Sequence, residues 1–205
     1  MYILLEGLDL AGKSTVCRLL KSHVSGEWHV RRNALVANNP VCELADRLRR
    51  EGEGEEMVGW LYYTALLFDL EHFCRPTENT IQDSTILLRS LAFHKVRGTP
   101  HLVERFEALV EQHPRFDYAF VLVADHQTRL ERLAKRRREN LSPEDLLVKD
   151  NPQRFYAMEQ VIIEYATRYL KAIKLDTSGE LTPSWLKNLY RYIPELSQYC
   201  SETSH

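Results

Sequence analysis

Short apolar runs alternate with longer amphipathic stretches along the chain, and this alternation predicts an α/β protein. The first and fourth runs are almost continuously apolar, as is typical of parallel strands that are buried on both faces. Five strands are predicted, at 2–6, 27–32, 80–84, 118–124 and 172–176. Because helical stretches separate them, we expect a three-layer α/β/α architecture with a central five-stranded parallel sheet.

Helical spacing of apolar residues fills the intervals between the predicted strands. The clearest helix covers 152–171 and begins with a proline, which the first turn tolerates. Its apolar stripe predicts a core contact and consists of Phe155, Met158, Ile162, Tyr165 and Tyr169. The other helices are predicted at 13–24, 40–51, 56–74, 86–96, 100–112, 126–139 and 182–193.

Length and composition limit the classes of protein. A chain of 205 residues without an internal repeat predicts one domain over 1–199, followed by a flexible tail at 200–205. The net charge of -2 gives no overall attraction to nucleic acid or to anionic membranes, so we expect neither as a partner. No apolar run approaches the roughly 20 residues that span a bilayer, and a cytoplasmic protein is expected.

The first predicted strand runs into a phosphate-binding loop. The sequence G-L-D-L-A-G-K-S matches G-x-x-x-x-G-K-[ST] without a gap, and a strand precedes it and a helix follows it. In such a loop, backbone N–H groups surround the phosphates, Lys13 reaches the outer phosphates and the Ser14 hydroxyl binds Mg²⁺. The predicted ligands are therefore ATP and Mg²⁺, and the predicted nucleotide-binding residues are Gly7, Leu10, Ala11, Gly12, Lys13, Ser14 and Thr15.

Further motifs narrow the branch of P-loop proteins. No N/T-K-x-D motif is present, which disfavours a GTPase, and the chain is short for most motor or AAA-type modules. The stretch EGLDLAGKST, with Asp9 inside the loop, resembles thymidylate kinase and its relatives. The stretches TIQDSTILLRSLAFH, YAFVLVADHQTRLERLAKRRREN and KLDTSGELTPSWLKNL follow in the order of that family. The resemblance implies a P-loop kinase fold with an Arg-rich lid at about 136–150, a nucleotide or nucleoside acceptor, and a homodimer.

The resemblance also implies roles for individual residues. Asp9 matches a family carboxylate that contacts a sugar hydroxyl of the acceptor, and Asp83 matches an acid suited to the magnesium shell. Since Leu10 occupies the loop position where some relatives carry a catalytic arginine, the lid is expected to supply one. The candidates are Arg132, Arg136 and Arg137; the alternative is that this basic run is a solvated helix end that the helix dipole favours.

The chain departs from the family on the acceptor side. The segment 51–74 contains no Lys or Arg, and Ser84 follows Asp83 where the family has an arginine. Either other arginines bind an acceptor phosphate, or the acceptor carries no phosphate. The candidate acceptor-binding residues are Asp9, Arg31, Arg32, Tyr62, Asp69 and Arg89. The spacing of the histidines does not predict a metal site. The histidine of most interest is His94, which ends the predicted helix after Asp83.

Three functions stay open on the sequence. The leading hypothesis is ATP-dependent phosphoryl transfer to a nucleoside monophosphate. The second is a kinase for a neutral hydroxyl, on a nucleoside or another small metabolite, which the missing arginines favour. The third is a regulatory module that binds nucleotide without efficient transfer.

Overall fold

Five strands form one all-parallel sheet in a computed structural model that describes residues 1–136 and 143–197. The strands are β1 (Tyr2–Glu6), β2 (Trp28–Arg32), β3 (Asn79–Asp83), β4 (Tyr118–Val123) and β5 (Ile173–Asp176). Their order across the sheet is β2-β3-β1-β4-β5, so β1 is central. The predicted five-stranded parallel sheet is confirmed.

The described residues include ten α-helices. They are α1 (Lys13–His23), α2 (Pro40–Glu51), α3 (Glu55–His72), α4 (Ile86–Arg97), α5 (Pro100–Glu107), α6 (His126–Lys135), α7 (Pro143–Asp150), α8 (Pro152–Leu170), α9 (Lys187–Tyr190) and α10 (Pro194–Ser197). Short 3₁₀ turns at Val110–Gln112 and Pro183–Leu186 replace parts of two predicted helices. No helix in the described ranges is long and apolar enough to cross a bilayer.

The segment predicted as a lid differs from the expectation. The helix predicted at 126–139 ends at Lys135, and α7 lies within the predicted lid, where no helix was expected. A signal for α7 was present, since a proline opens it and Glu144 and Asp145 follow in the first turn, where carboxylates stabilise the helix dipole. The rest of the predicted lid at 137–142, including Arg137, lies outside the described residues, as does the tail at 200–205.

Both faces of the sheet are covered, which explains the continuous apolar runs. Along β1, Leu4 packs into one core cluster together with α4 and α8 side chains such as Leu91 and Ile162. Its neighbours Ile3 and Leu5 pack into a second cluster on the opposite face. Successive side chains of a strand point to opposite faces, so the positions of β1 that precede Glu6 are all apolar or aromatic.

A buried carboxylate joins the end of β1 to the start of α4. Glu6 is fully buried and accepts hydrogen bonds from Gly7 N at 3.0 Å, Thr85 N at 2.9 Å and Thr85 Oγ1 at 3.1 Å. Burial raises the pKa of Glu6, although the nearby Lys13 opposes the shift. The contact fixes α4 against the phosphate-binding loop and thereby positions the α4 side chains that line the site.

Candidate nucleotide-binding and acceptor site

Two glycines determine the path of the loop between β1 and α1. Gly7 has φ 137° and Gly12 has φ 84°, values that L residues rarely adopt. A Cβ on Gly7 would lie 2.4 Å from Leu122 O, and one on Gly12 would lie 2.6 Å from Leu181 Cδ1. A Cβ on Gly7 would collide with a backbone oxygen, and the positive φ of both glycines strains any other residue, so the curl that brings the loop to the start of α1 depends on glycine.

The start of α1 is a suitable anion site. No side chain caps this helix, so first-turn N–H groups that lack an i−4 carbonyl are available to phosphate oxygens. Lys13 Nζ donates to Gly7 O at 2.6 Å and to Leu8 O at 3.1 Å. Its ammonium group is thus held over the loop, in the cavity where phosphate oxygens could replace these carbonyls.

Two adjoining cavities meet beside the loop. The larger, the phosphate cavity, has a volume of about 750 Å³ and is lined by seven basic side chains and only three carboxylates. The smaller, the acceptor cavity, has a volume of about 270 Å³ and is lined largely by α3 and α4. Both include Asn33, Arg49 and Arg89, which therefore lie at the junction. A positive cavity suits polyphosphate, and a half-apolar cavity beside it suits a small organic acceptor.

Asp9 forms an ion pair at this junction. Arg89 Nη2 donates to Asp9 Oδ2 at 2.8 Å, and the two side chains are 22% and 23% exposed. Burial alone would raise the pKa of Asp9, but Arg89 and Lys13 outweigh it and hold that pKa well below its usual range. Asp9 is therefore ionised at neutral pH and is a weak base.

Two arginines of α6 hold the loop from its other side. Arg129 is fully buried, donates to Asp9 O at 2.8 Å and pairs with Glu159. Arg132 donates to Leu10 O at 2.8 Å and lines the phosphate cavity. Arg129 was not predicted from the sequence, which has no local signal that distinguishes it from the other basic residues of this helix.

The predicted lid arginines are held in different ways. Arg132 also donates to Thr177 O at 2.5 Å, so several of its donor groups are occupied by backbone carbonyls. Arg136 lines the phosphate cavity and pairs with the buried Asp145 of α7.

The predicted magnesium ligands lie in one cavity. Ser14 and Asp83 both line the phosphate cavity, and Arg32 Nε is 3.9 Å from Asp83 Oδ2. In the described part of the chain, no group of three or more His, Cys, Asp or Glu side chains could hold a metal ion. Mg²⁺ that retains waters and phosphate oxygens needs only one or two protein ligands, so the pair fits this ion.

The predicted acceptor residues do not all lie at the junction. Arg89 lines both cavities, Arg32 lines the phosphate cavity, and Tyr62 lines the acceptor cavity while its hydroxyl donates to Asp46 at 2.5 Å. Arg31 lines neither cavity and donates to Leu35 O at 2.9 Å.

Asp69, predicted to bind the acceptor, lies in the interior and lines neither cavity. Asp69 is fully buried and accepts hydrogen bonds from Leu35 N at 2.7 Å, from Val36 N at 3.1 Å and from Asn39 Nδ2 at 2.9 Å. The sequence showed a polar residue among the apolar residues of α3, but not its partners. Both of its carboxylate oxygens accept hydrogen bonds from backbone groups of the loop after β2.

Arg49 is a junction residue that sequence reasoning missed. It lies near the end of α2, and its Nη2 is 2.8 Å from Oε2 of Glu144 on α7. The basic cluster that ends α2 was the only available signal, and it is equally typical of a solvated helix end.

Comparison with known proteins identifies the class. The chain belongs to the P-loop family described as AAA domain (AAA_18), whose model matches residues 3–147. The length argument against an AAA-type module was therefore wrong as regards this family. No curated protein has significant sequence similarity to the chain.

Solved structures show the same fold over nearly the whole chain. Thymidylate kinase from Candida albicans has a TM-score of 0.66 and 17% identity, covering 98% of this chain and 93% of its own. Deoxyadenosine kinase from M. mycoides with bound dATP has a TM-score of 0.60 and 17% identity, covering 95% and 100%. Thymidylate kinase from Ehrlichia chaffeensis has a TM-score of 0.60 and 14% identity, covering 95% and 98%. The predicted likeness to thymidylate kinases is confirmed at the level of the fold.

Proposed function

We propose that this protein transfers the γ-phosphoryl group of ATP to a nucleoside monophosphate. The observation that carries the proposal is the junction of the two cavities, which Arg49 and Arg89 both line. An acceptor that sits in the smaller cavity with its phosphate at the junction meets two guanidinium groups and faces the loop that holds the donor. Guanidinium groups match phosphate geometry well.

On the donor side, backbone N–H groups of 10–14 bind the β- and γ-phosphates, and Lys13 supplies the cation. Ser14 and Asp83 hold Mg²⁺, which neutralises charge on the phosphates when it is bound. Arg136, once released from Asp145, approaches the γ-phosphoryl group, where an added positive charge stabilises the transition state.

The transfer step exchanges one P–O bond for another. An oxygen of the acceptor forms a bond to the γ-phosphorus, the bond from that phosphorus to the β,γ-bridging oxygen breaks, and ADP leaves. A phosphate acceptor needs no base at neutral pH, because its attacking oxygen carries no proton. Asp9, with its lowered pKa, suits this reaction and binds an acceptor hydroxyl rather than removing a proton.

A nucleoside hydroxyl is the second candidate acceptor, and one observation favours it. Both junction arginines already have carboxylate partners, Arg89 in Asp9 and Arg49 in Glu144. If these pairs persist during turnover, the junction offers little net positive charge to an acceptor phosphate. In that reaction the hydroxyl proton passes to water or to an oxygen of the transferred phosphoryl group as the new P–O bond forms, because Asp9, with its lowered pKa, is a weak base.

A substrate screen tests the proposal. The protein is incubated with ATP and Mg²⁺ and with each common nucleoside or its monophosphate, and ADP and the phosphorylated product are quantified. We expect transfer to a monophosphate. Transfer to nucleosides alone would establish the second candidate, and slow ATP hydrolysis with no phosphorylated product would support the regulatory module.

The variant Asp9→Asn separates donor from acceptor roles. We expect a higher acceptor KM and a lower kcat, with a smaller effect on ATP affinity, because the Asp9 carboxylate pairs with the junction residue Arg89 and offers no donor to the phosphates. An effect on ATP binding alone would assign Asp9 to the donor.

Domain organisation and oligomeric state stay predictions. A single domain over 1–199 and a homodimer are both proposed from the sequence and its family resemblance. Light scattering after size-exclusion chromatography measures the second.

A further inference from the structure

One face of α4 lines the acceptor cavity from end to end. The lining residues recur at helical spacing and are Ile86, Arg89, Ser90, Phe93 and His94. Arg89 marks the end of this face that adjoins the loop. His94 follows five positions later, about 7.5 Å along the axis at 1.5 Å per residue. An acceptor with its reacting end at Arg89 therefore extends its other end toward His94.

His94 is almost fully buried, yet it lines this cavity. Its residual exposure is 2%, and its ring stacks on Phe106 at a centroid distance of 6.0 Å. On α3, Gly59 leaves the space that the ring occupies, since a Cβ there would lie 2.7 Å from both Nε2 and Cε1 of His94. The Nε2 edge of the ring therefore faces α3, whose Gly59 is itself a wall of the cavity.

Hydrogen bonds around His94 engage one ring nitrogen and leave the other for a ligand. Its backbone carbonyl accepts from Gly98 N at 3.0 Å and Thr99 N at 3.1 Å. The Thr99 hydroxyl is 3.3 Å from that carbonyl and 2.8 Å from His94 Nδ1, so Nδ1 is engaged in either tautomer of the ring. Nε2 has no hydrogen-bond partner among the described residues, and it donates or accepts according to that tautomer.

His94 is also neutral under ordinary conditions. Burial lowers the pKa of His94 to about 4, so the ring is uncharged at neutral pH. Ser90, one turn earlier on the same face, is 7% exposed and adds a hydroxyl to the same wall. Two neutral polar groups beside the apolar Ile86 and Phe93 of the same helix face suit recognition of the edge of an uncharged ring.

We propose that His94 Nε2 and the Ser90 hydroxyl recognise the base of the acceptor and determine which base is accepted. His94 Nε2 forms a hydrogen bond with a polar atom on the base edge, and Phe93 supplies aromatic surface beside it. This inference rests on the proposed function, because it requires an acceptor that carries a base.

The test compares two substitutions at His94 with a matched histidine control. His94→Leu removes the hydrogen-bonding group, and His94→Gln keeps a neutral side chain that can donate or accept. His101→Gln is the control, since His101 stacks on Trp60, pairs with Glu56 and lies outside the cavity lining. The acceptors are nucleoside monophosphates with four different bases, the matching nucleosides, and ribose 5-phosphate, which has no base.

We expect His94→Leu to lower kcat/KM for the preferred base about tenfold or more, which is the loss of one hydrogen bond to a buried group. The ratio of kcat/KM between the preferred base and the other bases should fall. The KM for ATP and any transfer to ribose 5-phosphate should stay unchanged. His94→Gln should retain part of the preference, and His101→Gln all of it. Ser90→Ala, a small change that keeps the fold, should narrow the preference in the same direction.

Other outcomes overturn the inference. An equal loss on every acceptor, including ribose 5-phosphate, would make His94 a structural residue, and so would an unchanged base preference. If His94→Leu does not fold, the chemical shift of His94 Nε2 is measured by ¹⁵N NMR in the wild type instead. A chemical shift that does not change when the preferred acceptor is added would overturn the proposal. A wild type that phosphorylates no base-containing acceptor removes the proposed function itself and this inference with it.

Discussion

Arg89→Ala should be the acceptor-side substitution with the largest selective effect. At the 2.8 Å separation from Asp9, Coulomb's law with an effective dielectric constant of about 20 gives a gross attraction of about 6 kcal/mol. Desolvation offsets much of this, and removal of one partner from such a pair costs about 2–5 kcal/mol. For a monophosphate acceptor, that range corresponds to a loss of about 30-fold to several thousandfold in kcat/KM.

Two acceptors and one control separate the origins of the loss. The assay measures kcat/KM with a nucleoside monophosphate and with the matching nucleoside, in the wild type and in each variant. A loss common to both acceptors reports the unpaired charge of Asp9, and the excess on the monophosphate reports the phosphate contact. Arg31→Ala is the matched control, because Arg31 lines neither cavity and its removal should change either rate by no more than about twofold.

Two results would refute the reasoning. Equal losses on both acceptors, or no loss on either, would exclude Arg89 as a ligand of an acceptor phosphate and would favour a neutral hydroxyl acceptor. A larger effect of Arg31→Ala than of Arg89→Ala would show that the junction is not where the acceptor binds. Thermal melting of each variant checks that the fold is retained.

Three further predictions follow from the geometry. Lys13→Ala should abolish transfer and leave urea unfolding nearly unchanged, because the ammonium group acts on phosphate charge; near-normal turnover would contradict the assignment. Gly7→Ala should lower the free energy of unfolding more than Gly98→Ala, by about 1–3 kcal/mol, since both glycines have positive φ but a Cβ on Gly7 would lie 2.4 Å from the backbone oxygen of Leu122, whereas one on Gly98 would meet nothing within 4 Å. The free energy of unfolding should also fall with pH below about 6.5, because burial lowers the pKa of His94 and His113 to about 4 whereas the unfolded chain protonates near 6.5. Each of the two histidines contributes up to about 3 kcal/mol to the free energy of unfolding, and this contribution is present in full above about pH 6.5 and is lost toward about pH 4. Equal urea midpoints at about pH 7 and about pH 5 would contradict this prediction.

The sequence by itself determined the strands, most of the helices and the phosphate-binding loop. These features are local: the apolar run of β1, the two glycines and the lysine that starts α1 lie within a dozen positions, and steric rules fix what such a stretch can do. The cap of α2 is local as well, since Asn39 accepts hydrogen bonds from Val41 N and Cys42 N at the start of that helix.

Only the tertiary structure decided which polar side chains share the acceptor cavity. Arg89 meets Asp9 across 80 positions, because β3 pairs with β1 and brings α4 to the loop. Arg49 of α2 meets Glu144 of α7 across 95 positions. Asp69 shows the converse, since backbone groups more than thirty positions away satisfy it in the interior. A carboxylate or guanidinium has the same local pattern whether it lines a cavity or supports a loop. Its role depends on the order of the strands and on which groups are left without partners, and both arise only when the chain has packed.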